Sequence, residues 1–140
     1  MSLTHVPASL RRLVRDRARE CCEYCLIPEA FTLFTHPIDH VIAQKHGGAT
    51  IADNLALACV ICNGHKGTDL TSVDPANRAI VPLFNPRQDH WLEHFRIEDG
   101  RIEPLTATGR VTVRLLHFNI EDRIAERRLL MVAGKFGVLP

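Results

Sequence analysis

Cys22 and Cys25 stand two residues apart, Cys59 and Cys62 repeat the spacing, and the residues between and just after the pairs include Asp39, His40, Asn54, Asn63, His65 and Lys66. Two such pairs, each carried on one tight turn, can close a tetrahedral Zn²⁺ site once the turns meet. Four thiolates leave the ion no open position, so this zinc is expected to be structural. Cys21 is the cysteine left over, because Cys22 gives both pairs the same spacer; it is expected to end a helix against the core. Asp39 and His40 put an oxygen ligand beside an imidazole. In a regular strand the two side chains would point to opposite faces, so the strand must bend or end there for both to serve one site. Hydrolysis of a phosphodiester needs a deprotonated water and a cation over the phosphate, and one neutral His with hard oxygen donors meets that need. Asp and Asn oxygens, completed by water, suit Mg²⁺ or Mn²⁺.

The order of these residues, with two Cys-x-x-Cys pairs framing IDHVIAQKHGGATIADNLALAC and then NGHKG, resembles the HNH endonucleases, also called ββα-metal or His-Me finger proteins. It is similar to their zinc-stabilised subgroup, and the likeness runs from Cys22 to Lys66, about a third of the chain. The resemblance implies that His40 is the general base and that Asn54 holds the loop and the base in place. It also implies that Asp39 and the side-chain oxygen of Asn63 bind the catalytic ion, Mg²⁺ or another divalent cation. Lys66, one turn along from Asn63, would meet a phosphate oxygen or the leaving group, the alternative being a plain surface lysine. The family name implies a histidine where this chain has Asn63, which makes His65 the competing ligand. A regular helix cannot aim both at one ion, and Asn63 is the favoured one. His36 and His46 lie near the site in sequence and read as helper or surface histidines.

The elements that must position these residues read as α+β: a ββα-metal core with a structural zinc, an N-terminal helix and C-terminal helical elements. A helix is expected from Ser9, as N-cap, to about Glu20, with Leu10, Leu13, Val14 and Ala18 apolar and Arg11, Arg15 and Arg19 sharing a face. Phe31 to Ile42 reads as extended, Gly47 and Gly48 as a loop, Leu55 to Ala58 as the second strand, and a helix of about two turns opens at Asn63. Beyond Thr68 the signals weaken. A short element lies around Asp89 to Phe95, Asp99-Gly100 turns between two extended runs, and helices start at about Thr108 and, capped by Asn119, run to about Ala133. His90 and His94 have the spacing of a metalloprotease helix, yet Trp91 stands where that motif needs its glutamate, and Trp91, Leu92 and Phe95 are expected in the core. The runs LFNPRQDHWLEHF and LTATGRVTVRLLHFN resemble a C-terminal extension of some bacterial HNH proteins, which names no function. Residues 1–140 are expected to form a single domain, with the core motif at about 20–70 and the extension at about 75–140.

Composition narrows the partners. No run approaches the roughly 20 apolar residues of a membrane span, and the arginine-dense start has no apolar signal core, so a cytoplasmic protein without a membrane partner is expected. The net charge is only +1, but all except three of the 17 basic residues are Arg, crowded at Arg11, Arg12, Arg15, Arg17, Arg19 and at Arg110, Arg114, Arg123, Arg127, Arg128. Arginine forks suit phosphate, although Asp16, Glu20, Glu121, Asp122 and Glu126 can pair with them locally. DNA is the expected partner, with RNA open and the oligomeric state unspecified. A zinc-stabilised nucleic-acid-binding module without turnover is the alternative. A thiol oxidoreductase lacks its βαβ context.

Overall fold

The computed structural model describes residues 5–136. Its first helix, α1 (Ala8–Arg17), starts behind Pro7 and not at Ser9. Pro7 has the fixed φ and the missing N–H that suit a helix start, and its carbonyl accepts the first helical bond from Arg11 N at 2.9 Å. The helix also ends before Glu20. Arg19 and Glu20 take left-handed φ of 55° and 56°, so Arg19 leaves the face expected to hold it with Arg11 and Arg15.

Two short strands follow the first Cys pair: β1 (Ile38–His40) and β2 (Leu55–Leu57), antiparallel, with Asp39 opposite Ala56 and His40 opposite Leu55. Extended pairing over the whole of Phe31 to Ile42 does not form, because Glu29–Phe31 is a 3₁₀ turn and the Thr32 hydroxyl bonds the carbonyls of Glu29 and Phe34. The helix α2 (Val60–Lys66) begins three residues earlier than Asn63. Cys59 caps it, its sulfur accepting Cys62 N at 3.4 Å, so the second knuckle is itself the helix start. This β-β-α order is the α+β core expected for the fold.

The remainder contains a hairpin absent from the sequence reading, β3 (Thr71–Val73) with β4 (Ile80–Pro82). The short helix α3 (Trp91–His94) leads into the hairpin β5 (Phe95–Glu98) and β6 (Arg101–Pro104), turned at Asp99 and Gly100, both with positive φ. In the next helix, α4 (Ala107–Leu115), Thr106 is the cap, accepting Gly109 N at 3.0 Å. Its strand-favouring residues are overruled by packing: Val111 and Thr112 are buried, and the Thr112 hydroxyl serves Thr108 O and Phe84 N. The last helix, α5 (Glu121–Val132), is not capped by Asn119, whose amide instead bonds both backbone groups of Ile102 at 2.9 and 2.7 Å.

Alternation along β2 divides the interior. Leu55 and Leu57 pack under α1 with Val6 and Val14, whereas Ala56 and Ala58 face a larger core of Tyr24, Phe84, Trp91, Phe95, Ile102 and Phe118. That larger core contains the four paired cysteines, so the ββα unit and the later hairpin and helices share one apolar interior. Among the described residues, no helix is long and apolar enough to cross a membrane.

Candidate active site and metal centre

The sulfurs of Cys22, Cys25, Cys59 and Cys62 lie within 4.8 Å of one another, all four residues buried. Cys25 and Cys59 are 3.7 Å apart through their sulfurs, close to the edge of about 3.8 Å for a tetrahedron with Zn–S near 2.3 Å. Burial pushes the Cys22 and Cys62 thiols well up. Burial opposes the Cys25 thiolate too, but hydrogen bonds from the other three sulfurs outweigh it and hold that thiol well down. Four buried sulfurs gathered this closely are suited to a thiophilic cation, and the cluster can hold zinc. Arg123, from α5, approaches the sulfurs of Cys62 and Cys59 at 3.3 and 3.7 Å, and its other branch donates to the carbonyls of Leu116 and His117. Burial pulls this guanidinium down, and the charges of Cys25, Cys62 and Cys59 more than reverse the effect. Cys21 lies outside the cluster and, past the end of α1, reaches Arg19 O at 3.5 Å.

On the other side of α2, a cleft of about 320 Å³ is lined by Ile38, Asp39, His40, Ala43, Gln44, Lys45, Asn63, Gly67 and Thr68. Asp39 and His40 sit at the end of β1, where the chain leaves the strand and both side chains can border one space. Asn54 ties the loop that follows: its oxygen accepts Ile42 N, and its amide donates to Ile42 O and Ala49 O, each at 2.9 Å. Gly48 is required by that knot, since a Cβ there would lie 1.7 Å from Ile42 O and 2.8 Å from Asn54 Nδ2. The loop returns Thr50 to His40, whose Nε2 is 2.9 Å from the Thr50 hydroxyl. The Asp39 carboxylate is buried; Tyr24 donates its hydroxyl to Oδ2 at 2.8 Å, and Lys66 Nζ lies 3.2 Å from Oδ2 and 3.4 Å from Oδ1. Burial pushes this carboxyl above its ordinary range, against the opposing pull of Lys66 and Tyr24.

Residues 22–69 match the family model for the HNH endonuclease. This segment is an HNH endonuclease domain. A stretch of 78 residues, 56% of the chain, is 31% identical to the Septu protein PtuB of Bacillus thuringiensis, and it covers 28% of that protein. The chain thus spans under a third of the relative's length in the match. No solved structure matches.

Within the HNH domain, the structure brings Asp39, His40 and Asn63 to the cleft and leaves His65 out of it. His65 is exposed on α2 and stacks on His117, ring centroids 4.1 Å apart; burial against that ring, with the charges of His117 and Arg123, lowers its imidazole. Lys66 is not a surface lysine. It is 2% exposed, because its ammonium neutralises Asp39 and also donates to His40 O at 3.2 Å. His36 is buried with Nε2 on Ile27 O, and His46 is exposed with Nε2 on Thr68 O. Trp91 and Phe95 are in the core, as expected, while Leu92 is half exposed.

Of the two readings left open for the arginine clusters, internal pairing accounts for most of them. Arg123 and Arg127 are buried, Arg127 on the carbonyls of Gly100 and Phe118, and Arg110 is paired with Asp74. Arg17 holds Ala52 O and Leu55 O, and Arg15 holds Glu20 and Glu29. Most of these forks therefore answer internal carbonyls and carboxylates, which a linear charge count cannot register. Tyr24, Thr50 and Arg123 are the functional neighbours that the sequence reading missed. Of these, Arg123 alone was registered there, as one member of a basic cluster and not as a partner of the sulfurs.

Proposed function

We propose that the chain is an endonuclease that hydrolyses phosphodiester bonds of DNA, with one divalent ion of the Mg²⁺ type and a structural zinc. The reading is supported above all by the single cleft that Asp39, His40 and Asn63 line together. The donors fit such an ion: a carboxylate and an amide oxygen in a solvent-open cleft with room for water. When bound, the ion supplies positive charge over the scissile phosphate. Asp39 and Asn63 would hold it. His40 takes the proton from the attacking water, Thr50 steadies the imidazole, and Asn54 keeps the loop beneath the base from drifting. Lys66 supplies a counter-charge to the buried Asp39 carboxylate. Residues 1–140 act as one unit in this reading, in the cytoplasm, with DNA preferred over RNA.

The test is nicking of supercoiled plasmid across Mg²⁺ concentrations, with RNA in parallel. Nicking that requires the ion and falls by about 10²–10⁴ in His40→Ala, with zinc content and DNA affinity kept, is the expected result. The second reading, a zinc-stabilised module that binds nucleic acid without cutting, is favoured by the Lys66 ammonium already neutralising Asp39. It predicts retained DNA binding and no nicking in any divalent metal.

A further inference from the structure

The first zinc knuckle does more than supply two sulfurs. Its two spacer residues, Glu23 and Tyr24, both reach the strand pair that borders the cleft: Glu23 accepts Leu57 N at 2.8 Å and donates its own N–H to Leu57 O, also at 2.8 Å, while Tyr24 reaches Asp39. Tyr24 is buried. Its ring meets Phe84 edge-on at 6.3 Å, and its carbonyl accepts Trp91 Nε1 at 2.8 Å. The hydroxyl donates to Asp39 Oδ2 at 2.8 Å. Lys66 Nζ lies 3.2 Å from the same oxygen and gives its own hydrogen bond to Oδ1, a long one at 3.4 Å, so Oδ2 is held by the shorter bond and Oδ1 by the longer.

We propose that Tyr24 is a positioning residue for the metal-ligating carboxylate: by bonding Oδ2 from within the zinc knuckle, it turns Asp39 so that Oδ1 is offered to the cation. The inference rests on the reading of Asp39 as a ligand. Partners of this kind commonly contribute as much to metal affinity as a weak ligand, because a carboxylate free to rotate must be ordered when the ion arrives. Through Tyr24 the zinc knuckle also sets the geometry of the hydrolytic site, so the staple and the chemistry share one rigid turn.

Mn²⁺ binding to the full chain, followed by electron paramagnetic resonance without substrate, tests this apart from activity. Tyr24→Phe keeps the ring and its packing. It is expected to weaken Mn²⁺ by about 10–100-fold, with one zinc per chain and the parent melt retained. Cleavage in that variant should recover as metal is raised, which a loss of the base would not allow. Asp39→Asn supplies the control. If Tyr24→Phe binds Mn²⁺ as the parent does while Asp39→Asn does not, the positioning role is overturned and the ligand reading stands. If Asp39→Asn binds like the parent, the ligand reading fails and takes the proposal with it.

A second measurement needs no substitution at position 24. Tyr24 is the single tyrosine of the sequence, so incorporated 3-fluorotyrosine reports on it alone. Its ¹⁹F line should broaden as Mn²⁺ fills the site and stay sharp in Asn63→Ala. A line indifferent to Mn²⁺ in the parent, at concentrations that saturate the ion, overturns the proposal even if Tyr24→Phe fails to fold.

Discussion

Asn63 and His65 are two residues apart on the same helix, and 100° per residue is enough to send one into the cleft and the other onto His117. Their chemistry separates them as well, since an amide oxygen beside Asp39 suits Mg²⁺ and an imidazole would draw softer transition metals. Asn63→Ala is expected to lose Mg²⁺-dependent cleavage and His65→Ala to keep much of it, measured across Mg²⁺, Mn²⁺ and Ni²⁺ with zinc content checked in each variant. The reverse pattern would make His65 the ligand. Lys66 teaches a different lesson at the same scale. Its position one turn beyond Asn63 was legible, but its direction, inward to Asp39, was set by the need to neutralise a buried carboxylate.

The helix α5 ties the later part of the chain to the cysteine cluster through the Arg123 guanidinium, which lies against the sulfurs of Cys59 and Cys62. Truncation to Arg123→Met would leave sulfur charges buried without that partner and strand two carbonyls. The expected cost is about 3–5 kcal/mol, as for other buried pairs broken on one side. Urea denaturation measures it, and release of zinc to a chelator should quicken in the same variant. An unchanged unfolding midpoint would mean that the four sulfurs and their ion need no outside charge. The α2 helix makes the complementary point: because Cys59 is both zinc knuckle and helix cap, the metal and the helix carrying Asn63 are expected to form together.

For the whole molecule, one apolar core around the four cysteines predicts one transition. Binding by four thiolates is worth on the order of 10 kcal/mol, comparable with the stability of an entire domain, so chelation or Cys59→Ser should abolish the cooperative melt. A variant free of zinc that melts within a few degrees of the parent would refute the staple. Acid acts elsewhere. Asp74 bonds the Arg110 fork at 3.0 and 2.8 Å and accepts Ala76 N at 3.0 Å, which holds its carboxyl down to about 2 from an ordinary 3.8. A pKa depressed by folding means stability that is full above the unfolded value and is lost as pH falls from about 4 toward 2. Asp74→Asn should flatten the stability profile in that window and leave the profile above pH 5 parallel to the parent's; an unchanged acid limb would show that the pair contributes nothing there.

The sequence by itself determined the covalent spacing of the ligands and the local order of elements. Two identical Cys-x-x-Cys spacers, an Asp-His pair, a Gly-Gly loop and an Asn on a short helix are properties of neighbouring residues, and they sufficed for the α+β fold and for the HNH match of residues 22–69. The Asp99-Gly100 hairpin was legible for the same reason, since a turn's φ requirements act on the residues that make it. Only the tertiary structure decided which donors meet which acceptors across long separations. It directed Arg123 and Arg127 inward, gave Asn119 to Ile102 in place of a helix cap, and brought Tyr24 against Asp39. Such pairings follow from the balance of burial against unsatisfied charge in three dimensions, a quantity that no single stretch of chain contains.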